Sequence, residues 1–137
     1  MKGTYILIMK LKNDVNIVVG KLGKVYFKKG FYYYVGSAFG KTINLENRVE
    51  RYDRLNKERK GNLKWHIDYF LVNPDVKIID VVVFPKKSIE CKVSKKLSKV
   101  SKKVVKRFGS SDCKCEGHLY FLDYLNTNFK YFSNTNI

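Results

Sequence analysis

The spacing of apolar positions changes several times along this chain, and each change marks an element. Thr4 to Leu11 is a β-rich run, closed by the turn residues Lys12-Asn13-Asp14. Val15 to Val19 and Lys24 to Phe27 read as two more strands around a turn at Gly20 to Gly23, and Gly30 opens an aromatic strand over Phe31 to Val35. The first part of the chain therefore predicts consecutive antiparallel hairpins. From Asn44, a suitable N-cap, the period becomes helical: Leu45, Val49, Tyr52 and Leu55 share one face of a helix expected to reach Arg59 and to end at Lys60-Gly61-Asn62. Leu63 to Val72 predicts a short, largely buried helix stopped at Asn73-Pro74, and Lys77 to Phe84 a continuous apolar strand. Ile89, Val93, Leu97, Val100, Val104 and Phe108 keep helical spacing, which predicts a long lysine-rich helix over Ser88 to Arg107 with Gly109 as its stop. Leu119 to Leu125 reads as a last strand, and the Asn-rich stretch 126–137 as peripheral. These elements amount to one α/β domain of the α+β kind over residues 1–125, an antiparallel or mixed sheet flanked by helices. Strands 4–11 and 31–36 are expected to be neighbours.

Two charges fall where the pattern asks for apolar groups. At about 100° per residue, Glu90 lies about 20° from Leu97, inside the apolar stripe of the lysine-rich helix. A buried carboxylate must be neutralised, paired with a cation or bound to a metal. The alternative is a solvated first-turn acid that complements the helix dipole. Arg48 lies about 40° from Tyr52 on the apolar face of the earlier helix, either snorkelling, paired with a neighbour such as Asp68, or held inward for function.

Composition narrows the classes. With 137 residues, 45% of them hydrophobic and 15% aromatic, the chain can bury a core and is not a disordered tail. The apolar run Tyr5 to Met9 is cut by Lys10 and Lys12, too short for a secretory segment or a membrane span, so a cytoplasmic protein with no membrane partner is expected. An odd count of three cysteines agrees with a reducing compartment. The net charge of +16 favours an RNA or DNA partner bound through phosphates, unless the lysines only solubilise the surface. Four of the five arginines (Arg48, Arg51, Arg54, Arg59) sit in one predicted helix, and arginine forks onto phosphate as lysine cannot.

The short strings Gly3-Thr4-Tyr5, Tyr34-Val35-Gly36-Ser37-Ala38, Arg48-Val49-Glu50-Arg51, Trp65-His66-Ile67-Asp68-Tyr69, Ile89-Glu90-Cys91 and Phe108 to Leu119 together resemble the GIY-YIG nuclease superfamily. They are most similar to its branch known as domain of unknown function 123, sometimes joined to an endonuclease III-like glycosylase. The resemblance implies a GIY-YIG-like sheet, here with an extra N-terminal hairpin, Val15 to Phe27. It also implies a divalent-metal-dependent endonuclease hydrolysing phosphodiester bonds, with a role in DNA repair. It assigns Tyr5 and Tyr34 as the signature tyrosines, one of which would help to deprotonate the attacking water, Arg48 as the group that steadies the scissile phosphate, and Glu90 as the carboxylate holding one Mg2+ or Mn2+. Gly36, Ser37 and Arg51, with Lys95, Lys99 and Lys102 on the lysine-rich helix, are the expected nucleic-acid contacts; Gly36 would admit a phosphate or serve as a turn residue. His66, Asp112 and His118 are expected to line the site. The sequence departs from the pattern where Ser37 replaces a lysine and Tyr52 a histidine. A noncatalytic DNA- or RNA-binding module on the same scaffold is therefore the alternative.

His66 and Asp68, two apart on a helix, do not share a face and are not expected to hold one metal together, and Trp65 is expected in the core. Cys113, Cys115 and His118 have the look of zinc ligands, but three are fewer than a closed structural site needs and no paired Cys-x2-Cys halves accompany them. Zinc is not expected.

Overall fold

Eleven short segments of chain build two sheets and three helices, seen in a computed structural model that describes residues 1–40, 44–109 and 115–125. In chain order they are β1 (Gly3–Leu11), β2 (Val15–Val18), a 3-10 turn (Gly20–Leu22), β3 (Lys24–Phe27), β4 (Gly30–Ala38), α1 (Leu45–Glu58), α2 (His66–Leu71), β5 (Val76–Pro85), α3 (Glu90–Val100), β6 (Lys103–Val105) and β7 (Leu119–Leu122). The main sheet has the order β5-β1-β4-β7-β6, and every pairing in it is antiparallel. β2 and β3 form a separate two-stranded sheet.

β1 is the second strand of five, and Tyr5 to Met9 are wholly buried because both faces of the sheet are covered. Tyr5, Leu7, Met9 and Leu11 face a core completed by Tyr52 and Leu55 of α1, Ile67 and Phe70 of α2, and Phe27 of the small hairpin. Ile6 and Ile8 face the opposite core, closed by Ile89 with Val93 and Leu97 of α3. Such double coverage explains why β1 reads as an uninterrupted apolar run and not as an alternating one.

The expected adjacency of the first and fourth strands is present, in the register Tyr5↔Gly36 and Leu7↔Tyr34. Asn44 caps α1, its side chain accepting a hydrogen bond from Asn47 N at 2.8 Å. The helix expected to reach Arg59 has Glu58 as its last residue, and Arg59 caps it with a left-handed φ of 62°. There the Arg59 guanidinium donates to the carbonyls of Asn73 (2.7 Å) and Val76 (2.6 Å), tying the end of α1 to the start of β5.

Three boundaries differ from the sequence reading. The long helix expected over 88–107 stops at Val100, and Lys103–Val105 form β6 on the edge of β7. Val104 keeps a helical period by coincidence; a free strand edge and the β-branched side chains of Val104 and Val105 decide in favour of pairing. The second helix covers only His66–Leu71 of the expected 63–72, and the last strand ends at Leu122. Asp112 and the stretch 126–137, expected to be peripheral, lie outside the described residues.

Candidate active site

The string Gly3-Thr4-Tyr5 does three separate jobs at the start of β1. Gly3 leaves room for the neighbouring strand, since a Cβ there would stand 2.5 Å from the Phe84 carbonyl oxygen. Thr4, fully buried, donates through Oγ1 to Lys87 O at 2.7 Å and accepts from Ile89 N at 3.1 Å. It thereby fixes the residue just before Glu90 against the sheet. Tyr5 points to the other face, toward α1.

On β4, Gly36 is a strand residue and not a turn residue. It lies inside the strand opposite Tyr5, and a Cβ there would collide with the Tyr5 hydroxyl and ring. The tyrosine ring occupies the space of the missing side chain. Tyr34, two residues earlier, lies on the same face, its ring centroid 6.5 Å from that of Tyr5. A third phenol joins them: Tyr52 of α1 lies with its hydroxyl 2.7 Å from that of Tyr5.

β7 pairs with β4 only as far as Tyr34↔Leu119, so the last residues of β4 have no strand beside them on that flank among the described residues. A cleft of about 460 Å3 opens there, and it collects Tyr5, Tyr34, Arg48 and Glu90 from four different elements. Gly36, Ser37, His66 and His118 also line it, together with Gly109, whose N–H donates to His66 Nδ1 at 3.0 Å. Arg48 donates to Ser37 O at 3.3 Å. Burial opposes its charge, but the phenols of Tyr52 and Tyr5 hold the guanidinium above its ordinary pKa.

The phenols respond in the opposite sense to what a base requires. Burial, followed by the proximity of Tyr52 and Tyr34, pushes Tyr5 well above the ordinary phenol value; burial does the same to Tyr34 and also raises Tyr52. In this state all three are hydrogen-bond donors or acceptors and not phenolates. Burial lowers the pKa of His66, and it lowers that of His118 against the opposing pull of Glu90, so both rings are neutral at pH 7. His118 is wholly buried between Ser94 Oγ, 2.6 Å from Nδ1, and Glu90 Oε1, 3.4 Å from Nε2.

Glu90 is the first residue of α3, its side chain 30% exposed into the cleft. A hard divalent cation such as Mg2+ keeps several waters and takes one or two protein carboxylates plus substrate phosphates. A single half-open carboxylate fits that donor set. Among the described residues no group of three His, Cys, Asp or Glu side chains converges as a protein cage would. The Cys91 and Cys115 sulfurs lie 3.1 Å apart, and Cys113 lies outside the described residues.

Of the arginines in and after α1, Arg59 ties the helix end to β5 and Arg51 also serves the fold. Arg51 forks onto Asp68 at 2.8 and 2.7 Å, and Asp68, wholly buried, also accepts from the backbone N–H groups of Lys64 (2.7 Å) and Trp65 (2.9 Å). The partner of Asp68 is thus Arg51, not Arg48. Trp65, expected in the core, is instead 36% exposed at the mouth of the cleft, with the guanidinium carbons of Arg48 and Arg51 at 4.4 and 4.7 Å from its ring. Its place beside Lys64 and His66 had no periodic signal, because residues 63–65 are not helical. Lys95 and Lys99 are exposed on α3, whereas Lys102 follows the helix and pairs with Asp123 at 2.8 Å.

Residues 4–136 match the family Domain of unknown function DUF123, and the chain belongs to that family. No curated protein and no solved structure matches it. No helix among the described residues is long and apolar enough to cross a membrane.

Proposed function

We propose that this protein is a nuclease of the GIY-YIG type, a divalent-metal-dependent endonuclease that hydrolyses phosphodiester bonds in nucleic acid, DNA in preference to RNA. The observation that carries this reading is the convergence of Arg48 and Glu90, opposite charges from helices on opposite faces of the sheet, on one cleft floored by the Tyr5 and Tyr34 phenols. Arg48 offers a permanent positive charge to a phosphate, and because the site is partly desolvated that charge is worth more there than in water. Protonated Tyr5 and Tyr34 are suited to donate hydrogen bonds to phosphate oxygens and to orient the group for attack. Glu90 would hold Mg2+ or Mn2+, which supplies Lewis acidity and water activation when bound. A role in repairing DNA within the cell fits such an activity and the +16 charge of the chain.

One observation favours the alternative, a noncatalytic binding module: every phenol in the cleft is pushed away from the phenolate form. The two readings separate in one experiment. A panel of structured DNAs and RNAs, incubated with and without Mn2+, should be cut only with the metal, and Arg48→Ala should abolish cutting. Tight binding without cleavage on every member of the panel would leave only the binding module.

A further inference from the structure

The cleft contains more than phosphodiester chemistry asks for. Its volume of about 460 Å3 lies in the range that takes whole small ligands, far beyond one phosphate group. At its mouth stands Trp65, the only tryptophan in the chain, with 36% of its surface open. An indole with about a third of its surface open forgoes part of its burial energy, and contacts around it hold it in that place. Asp68 accepts from the Trp65 backbone N–H at 2.9 Å and fixes the Arg51 fork, while Arg48 and Arg51 brace the ring. Lys64 adds a further positive charge to the same wall. A partly open aromatic ring with guanidinium planes over it, beside phosphate-binding cations, is an arrangement that holds an unpaired base, since bases stack on aromatic rings and on guanidinium planes alike.

We infer that Trp65 is a stacking platform for a single unpaired nucleobase next to the phosphate bound by Arg48, so that the protein selects single-stranded or locally opened nucleic acid over continuous duplex. This inference deepens the nuclease reading and rests on it only for the position of the phosphate. A base inside a duplex has both faces covered by its neighbours, so it must leave the stack before it can meet Trp65.

The lone tryptophan makes the test direct. Wild-type protein without divalent metal is titrated with a short mixed-sequence deoxyoligonucleotide, its abasic counterpart and its blunt duplex, following indole fluorescence and the anisotropy of an end-labelled strand. The base-bearing strand should quench the indole, and the abasic strand should bind roughly five- to 150-fold more weakly with no quench. The duplex should bind without quenching. By anisotropy, Trp65→Phe should keep part of the preference for base over abasic strand, and Trp65→Ala should lose it, with circular dichroism confirming that each is folded. A matching ribonucleotide pair identifies the source of the base by whichever sugar gives the larger base-to-abasic ratio. Equal affinity and equal quenching for base-bearing and abasic strands of both kinds would overturn the inference. Cleavage in Mn2+ is scored separately: base-dependent quenching without cleavage keeps the platform and ends the nuclease reading, whereas equal cleavage of both strands ends the platform alone.

Discussion

Replacing Glu90 by glutamine removes one charge and almost no volume, and the surroundings of this residue set the expected cost. Its nearest charged or polar partner is His118 Nε2 at 3.4 Å, beyond the usual range of a good hydrogen bond, and burial keeps that ring neutral. A contact of this kind contributes at most about 1 kcal/mol. The first-turn position adds about 0.3–1 kcal/mol through the helix dipole, and glutamine keeps the hydrogen-bonding shape. Relief of a partly desolvated charge offsets some of both terms. The metal-free variant should therefore lose no more than about 1 kcal/mol, a few degrees in melting temperature for a domain of this size. A carboxylate broken out of a fully buried ion pair would instead cost about 3–5 kcal/mol. Activity should respond on a different scale, because Glu90 is the only carboxylate among the described residues lining the cleft and the metal ligand in the proposed reading. Mn2+-dependent cleavage should fall at least about 100-fold while nucleic-acid binding in EDTA stays within a factor of a few. Thermal melts without metal, run beside cleavage and anisotropy assays, decide the matter. Undiminished cleavage by Glu90→Gln would refute the metal-ligand role, and a stability loss above about 3 kcal/mol would refute the packing argument.

Four further outcomes follow from the same geometry. Gly36→Ala forces the Tyr5 ring out of its seat and should cost about 1–3 kcal/mol, read by thermal melting, together with a loss of cleavage; an unchanged melt would mean that the ring has room to move. Asp68→Asn breaks the Arg51 fork inside the core and should cost about 3–5 kcal/mol by denaturant titration, and a change below about 1 kcal/mol would show that the pair is compensated. Because the folded-state pKa values of Tyr5 and Tyr52 are raised, their contribution is complete below the unfolded phenol value and lost as pH rises through the folded ones. The melting temperature should then fall above about pH 10, less steeply in Tyr52→Phe, and a profile identical in that variant would remove the phenol pair as the cause. Finally, charge reversal at Lys95 and Lys99 should flatten the salt dependence of binding by about one unit of slope for each lysine that meets a phosphate; an unchanged slope would assign both to solubility.

Much of the scaffold could be read from pattern because the forces that set it are local. The first four strands, the N-cap at Asn44, the amphipathic face of α1 and the apolar strand β5 each carry their period or capping residue within a few positions. The inward bias of Arg48 and the helical face of Glu90 were legible for the same reason. The helix reading failed over Lys103–Val105, where the helical spacing of Val104 coincides with a strand pattern and a neighbouring strand edge broke the tie. Pairings between distant residues had no local signature. That Thr4 pins the turn before Glu90, that Tyr5 fills the space left by Gly36, that Arg51 serves Asp68 while Arg48 serves the cleft, and that Trp65 stands at its mouth all depend on strand register and on which helix covers which face. Sequence alone determined which residues carry charge, aromaticity and periodicity. Only the tertiary structure decided which of those charges are spent on the fold, because a salt bridge or a cleft is fixed by the distance between elements and not by the composition of either one.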